Sequence, residues 1–176
     1  MATNSLIMDN IHVRMNMAEM AFQHDDIIDD IEFAIRRFPD CCEQLIPHVI
    51  RLMNSSSESI RASGFGYALD IIGQKPQTRN QLKEIYINKI QSTDLDVARQ
   101  AITFLPDFVS LCIVNADELI SAATHRITSR NVLNDVSDYV VHAMKIFGHL
   151  LDEDPQNSTD LKKEIKRRSR EDGEII

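Results

Sequence analysis

The chain has 176 residues, 43% hydrophobic, 26% charged and 6% aromatic, with no Trp; this is the composition of one ordinary globular domain, long enough to fold without disulfides or metals. A formal net charge of -8 excludes sequence-independent binding of nucleic acid by the surface as a whole, because an acidic surface repels phosphate. Three cysteines, two of them adjacent (Cys41, Cys42 and Cys112), exclude a disulfide framework and fit a reducing compartment.

Apolar residues recur with helical spacing along nearly the whole chain, and no convincing period-two strand is present. The first 22 residues are apolar on several sides, with Leu6, Ile7, Met8, Ile11, Val13, Met15, Met17, Met20 and Phe22. In HDDIIDDIEFAIRRFPD, Ile27, Ile28, Ile31, Ala34, Ile35 and Phe38 share one face, and Asp25, Asp26, Asp29, Asp30 and Glu32 lie mostly opposite. Acids at its start and Arg36-Arg37 at its end suit the helix dipole, and Pro39 stops it. A second stripe runs through Leu45, Ile46, Val49, Ile50 and Met53, with Pro47 inside it as an expected kink. Ser55-Ser56-Ser57 then supplies turn and cap residues. A helix from about Glu58 to Ile72 follows, with Ile60, Gly64, Tyr67, Ala68, Ile71 and Ile72 inward; Gly73, Pro76 and Thr78 mark its end. Arg79 to Ile90 forms the next helix, through Leu82, Ile85, Tyr86 and Ile90. Ser92-Thr93-Asp94 starts another, with Val97, Ala101, Ile102 and Leu105 on one face, and Pro106 breaks or kinks the chain before Phe108, Val109 and Cys112. Asn115 to Thr128 turns Leu119, Ile120, Ala123 and Ile127 inward. Asn134 to Leu151 does so with Val136, Tyr139, Val140, Ala143, Ile146, Phe147 and Leu150. A polar stretch from about Ser158 to Ile176 closes the chain.

The helices come in similar pairs: an apolar helix, a short Ser/Thr/Asp turn, then a helix that opens with an acid and an inward residue and has a small residue four places further on. Ile60 and Gly64, Val97 and Ala101, and Tyr139 and Ala143 are the corresponding pairs, at intervals of 37 and 42 residues. Such intervals suit helical-hairpin repeats of the HEAT or armadillo type. The small residue lets the two helices of a hairpin approach closely. The expected fold is therefore all-α, stacked antiparallel helical hairpins in a HEAT/armadillo-like α-solenoid. Its expected parts are an N-terminal apolar capping or docking segment (1–22), a helical-repeat domain (23–152) and a polar, basic C-terminal tail (153–176).

No catalytic constellation stands out. Gly64-Phe65-Gly66 lies within a helical stripe and lacks the strand and spacing of a phosphate loop, so it reads as packing. No Ser sits in a nucleophile elbow. The six His show no zinc-helix spacing, and no Cys-x-x-Cys exists, so no metal and no cofactor are expected. His142 and His149 are two turns apart, too far to share an ion. The acids from Asp25 to Glu32 read as a solvated face, with a docking face for a basic partner as the alternative. Two segments carry candidate binding residues. Met15, Met17, Met20 and Phe22 form either the cover of the first repeat or an element that docks on a partner, since methionine adapts to irregular surfaces. Lys162, Lys163, Lys166, Arg167, Arg168 and Arg170, against Glu164 alone in 161–170, make a basic run that reads as a solvated tail, a nuclear-import signal or a nucleic-acid contact. No apolar run approaches the ~20 residues that span a bilayer, and no secretory signal is visible at the start. The expected location is cytosol or nucleus.

From about Glu19 to Leu151 the chain resembles the extreme C-terminal helical-repeat region of Integrator complex subunit 1, the large scaffold subunit of that nuclear assembly. The likeness is carried by the acidic-apolar helix ending in Arg36-Arg37-Phe38-Pro39, by Leu52-Met53-Asn54-Ser55-Ser56, and most strongly by DLDVARQAITFLPDFVSLC at 94–112. There Val97, Ala101, Leu105-Pro106-Asp107 and Leu111-Cys112 fall in the family's order. The resemblance implies stacked helical hairpins, a place in a complex that processes small nuclear RNA 3′ ends and attenuates transcription by RNA polymerase II, other Integrator subunits as partners, and a nuclear location. RNA cleavage in that complex belongs to another subunit, so the resemblance implies no catalytic residue. The likeness fades after Leu151, and the chain, opening on Met1, is far shorter than the scaffold; an excised domain and a small standalone relative are both open. The expectation is a non-catalytic protein-docking module with no small-molecule substrate and no membrane. The alternatives are an unrelated helical-repeat adaptor and an RNA-binding helical repeat that uses the basic tail.

Overall fold

A computed structural model of the chain describes residues 2–17, 22–111, 116–128 and 133–153. Among these, all regular structure is helical: α1 (Ala2–Met17), α2 (Phe22–Arg37), α3 (Cys42–Met53), α4 (Glu58–Gln74), α5 (Arg79–Ile90), α6 (Leu95–Thr103), α7 (Leu105–Leu111), α8 (Ala116–Thr128) and α9 (Ser137–Glu153). The chain divides into two compact units, Met1–Ile85 and Tyr86–Ile176.

Proline sets most of the breaks. Pro39 and Pro76 each open a single 3-10 turn, Pro39–Cys41 and Pro76–Thr78, because a ring without an N–H is best tolerated in a first turn. Pro106 acts the same way: α6 ends at Thr103, and Pro106 falls at the second position of α7, where no intrahelical donor is needed. Pro47 is the exception, lying inside α3, which runs on through it with the ring turned to solvent. Asp94 caps α6 as its position suggests, its carboxylate accepting from the backbone N–H of Asp96 at 2.9 Å and of Val97 at 3.4 Å. Ser57 occupies the cap position of α4 without a side-chain cap bond. There the turn is held by Arg61 instead, whose buried guanidinium donates to the carbonyls of Ser55 and Ser56, both at 3.0 Å.

In the first unit α1 packs on α2, α3 on α4, α1 on α3 and α2 on α4. The core gathers Met8, Ile11 and Met15 from α1, Ile27, Ile31, Ala34 and Ile35 from α2, Leu45, Val49, Leu52 and Met53 from α3, and Ile60, Phe65, Ala68 and Ile71 from α4. Each buried Leu, Ile, Met or Phe contributes about 1.5–3 kcal/mol of transfer free energy. The α3–α4 contact is closest at Gly64. A Cβ there would lie 2.6 Å from the backbone nitrogen of Met53 and 2.9 Å from the carbonyl carbon of Leu52, so the absent side chain lets the two backbones meet. Phe65, which the apolar stripe left out, is fully buried as well, because α4 is covered by both α2 and α3 and buries a wider arc than one stripe.

In the second unit α7 packs on both α8 and α9, α8 on α9, and α6 on α7 and α9. Leu105, Phe108, Val109, Leu119, Ala123, Val140, Ala143 and Phe147 are fully or almost fully buried. Tyr86 stacks face to face on Phe108, with ring centroids 3.7 Å apart, and its hydroxyl donates to the carbonyl of Ala101 at 2.6 Å. Ile146 and Leu150, expected inward, are only half-buried, and two further expectations shift by a place. Tyr139 is 42% exposed, because a 3-10 turn at Asn134–Val136 precedes α9 and the buried register runs Val136, Val140, Ala143, Phe147, one place off Tyr139. Val97 is only half-buried, and Ala98 beside it takes the inward place.

Candidate interaction surface

Met15, the first of the residues expected to cap or dock, is fully buried on α1, and its carbonyl accepts from the guanidinium of Arg51 on α3. Met17 ends α1 and Phe22 opens α2; their side chains, with all of Met20, lie outside the described residues, as do Lys162, Lys163, Lys166, Arg167, Arg168 and Arg170.

The described surface of the same α1–α2 hairpin carries apolar side chains of its own. Leu6 is 69% exposed, Val13 55% and Phe33 53%; beside them only Tyr139 ranks as a large exposed hydrophobic among the described residues. The apolar stripe of α2 left Phe33 out, though its position carries a signal. It is the apolar residue on the polar side of α2, next to Glu32 and within a turn of Asp29, Asp30, Arg36 and Arg37. It meets the half-buried Phe38 edge-on, with centroids 5.9 Å apart.

Two of the three described acids of α2 are paired. Asp30 forms an ion pair with Arg14 of α1, and Glu32 accepts from Arg36 at 2.8 Å, one turn along the helix. Tyr67 of α4 donates to the carbonyl of Ile28 at 3.1 Å. Burial, and then the charges of Glu32, Asp29 and Asp70, push its hydroxyl up to about 12, with Arg36 opposing. Among the described acids of α2, Asp30 thus ties the helix to α1, Glu32 pairs within the helix, and Asp29 is left outward.

The structure also brings together two histidines that the sequence spacing did not pair. Nδ1 of His12 on α1 and Nε2 of His48 on α3 share a hydrogen bond, the ring centroids lying 4.6 Å apart. One ring must donate and the other accept, so the two are not both protonated. Burial, then His12, then Arg51 push His48 down to about 4. His125, His142 and His149 are exposed on α8 and α9. Among the described residues no three His, Cys, Asp or Glu side chains come together as a metal site, and no helix is long and apolar enough to cross a membrane. Cys42 is buried, its thiol facing the carbonyl of Ile35 at 3.5 Å and Oε1 of Gln74 at 3.4 Å. The side chains of Cys41 and Cys112 are outside the description.

Polar contacts between one hairpin and the next recur at a near-constant separation. His12 to His48 and Arg51 to Met15 span 36 residues, Lys75 to Asp40 35, and Tyr67 to Ile28 39. In the second unit Arg99 to Asp135 spans 36 and Arg126 to Ser92 spans 34. These separations bracket the shorter of the two repeat intervals in the sequence.

Residues 13–113 match the family model described as Integrator complex subunit 1, R4 domain, a span covering more than half of the chain. It begins within α1, runs past the end of α7 and includes the segment 94–112. No curated protein gives a significant match.

Proposed function

The chain belongs to the Integrator complex subunit 1 R4 domain family, and on that premise we propose that it is a non-catalytic scaffold module that binds other protein subunits of the Integrator complex in the nucleus. The family match over residues 13–113 is the observation that carries this reading. The processing of small nuclear RNA 3′ ends and the attenuation of transcription by RNA polymerase II are then activities the module serves by holding subunits together.

A HEAT-like solenoid is the arrangement we propose within the units. Three features support it: the hairpin-on-hairpin packing of α1–α2 with α3–α4, the contacts at 34 to 39 residues, and the close approach at Gly64. Repeat arrays of this kind work by presenting continuous surface. In this reading the N-terminal segment with Met15, Met17, Met20 and Phe22 contributes to the docking end. Met15 does so from within the core, holding the hairpin in shape. The basic run Lys162 to Arg170 serves nuclear import. Nuclear accumulation that persists undiminished after removal of residues 158–176 would refute that role.

Affinity purification of the tagged chain from nuclear extract, followed by mass spectrometry, tests the main proposal. Recovery of several Integrator subunits together is expected. Recovery of none of them, with the chain folded, would refute it.

A further inference from the structure

His12 and His48 turn ring nitrogens to one another across two helices. Nδ1 of His12 on α1 meets Nε2 of His48 on α3, with ring centroids 4.6 Å apart and planes inclined by 50°. One proton lies between those nitrogens in their hydrogen bond. When each ring instead carries its proton on the far nitrogen, both facing nitrogens offer a lone pair to the same point. Two converging imidazole lone pairs are what ions of the zinc, copper and nickel class bind. An ion about 2.0–2.1 Å from each nitrogen holds the two about 3.3 Å apart at the tetrahedral angle. His12 is half-buried and lies at the edge of the stripe formed by Met8, Ile11 and Met15. A turn of its ring gives that spacing, and its open side lets water fill the remaining positions. His48 is buried. Burial, then His12, then Arg51 hold it down at about 4, so at neutral pH it has no extra proton to release before it binds an ion.

We propose that His12 and His48 form a two-imidazole site for a divalent transition-metal ion of the zinc class, which clamps α1 to α3. The charges around the pair come from three helices. On α3, Arg51 opposes a cation, and its guanidinium is engaged by the carbonyl of Met15. On α1, Arg14 is paired with Asp30 of α2. Asp9 is exposed three residues before His12, on the same flank of α1. Its negative charge offsets Arg51. Its carboxylate stands apart from the two rings, and a change of rotamer is the step that would add it as a third donor. Two protein donors hold an ion less tightly than the four of a structural zinc site, so the clamp is reversible. The spacing of histidines along the chain gave no sign of it, because the two rings are 36 residues apart.

Calorimetric titration of zinc chloride into the full chain, with urea melts read alongside, tests the proposal. A single ion per chain is expected, and the urea midpoint should rise as zinc is added. His12→Gln and His48→Gln should each weaken binding by about tenfold or more and abolish the rise in midpoint. His142→Gln, on the exposed side of α9, should leave both readings unchanged. If the melt of His48→Gln shows that it does not fold, the half-buried His12 decides the matter through His12→Gln alone. A chain that takes up no zinc overturns the proposal, as does one that binds zinc equally well after His12→Gln or loses it after His142→Gln.

Discussion

Gly64 lies where α4 meets the backbone of α3, and Gly66, two residues on, has nothing within 4 Å of the place a Cβ would occupy. Ala ordinarily stabilises a helix interior over Gly by about 0.5–1 kcal/mol, largely through the unfolded chain. Gly66→Ala should show that gain. Gly64→Ala should instead destabilise by about 1–3 kcal/mol, because α3 must move back to admit the methyl group. Urea melts of the two variants check this, and a gain at both positions would remove the close approach from the account. His48 gives a pH signature of its own. Its ordinary value is near 6.5, and in the folded chain it is pushed down to about 4. Between those values the unfolded chain takes up a proton that the folded chain excludes, so stability falls as pH drops through that window and is fully present above it. The loss by pH 4 should be on the order of 3 kcal/mol. His48→Gln should flatten the dependence of the urea midpoint between pH 7 and 4, and an unaltered slope would contradict the burial of His48 beside His12 and Arg51.

The helices after α1 were readable because most have apolar spacing on one side and a Pro, Ser or Asp near their start. Arg79–Ile90 and the start of α6 after Asp94 coincide with the expected bounds. What the stripe could not show was how many neighbours each helix would have. α4 is covered by α2 and α3 together, so Phe65 and Arg61 are buried beside the expected residues. A 3-10 turn of three residues was enough to put Tyr139 on the surface. The His12–His48 pair was hidden for a different reason: its partners stand one repeat apart, and local spacing carries no sign of such a contact. Face assignments at this scale have a direct check. Ile102 is fully buried on α6, and Ile102→Ala should cost about 2–5 kcal/mol. Glu32 is half-exposed in a one-turn ion pair, and Glu32→Ala should change stability by about 0.5 kcal/mol or less. Equal effects in a denaturant melt would refute the faces.

At the scale of the whole molecule, two compact helical units carry a family match that reaches from α1 past α7. The likeness to the scaffold subunit rests on packing residues, such as those of 94–112: Ala101 and Leu105 are fully buried, and Pro106 places the break between α6 and α7. Such residues report helical packing and its family, which is why the all-helical class and the family were legible. A surface that binds subunits has no comparable periodicity, and of its expected residues only Met15 has a described side chain, inside the core. Gradient sedimentation of nuclear extract from cells expressing the tagged chain tests the central claim most directly. If the chain is a module of the Integrator scaffold, it sediments in the fractions that hold the other Integrator subunits. Sedimentation apart from those subunits, as a free protein of 20.1 kDa, would contradict that claim.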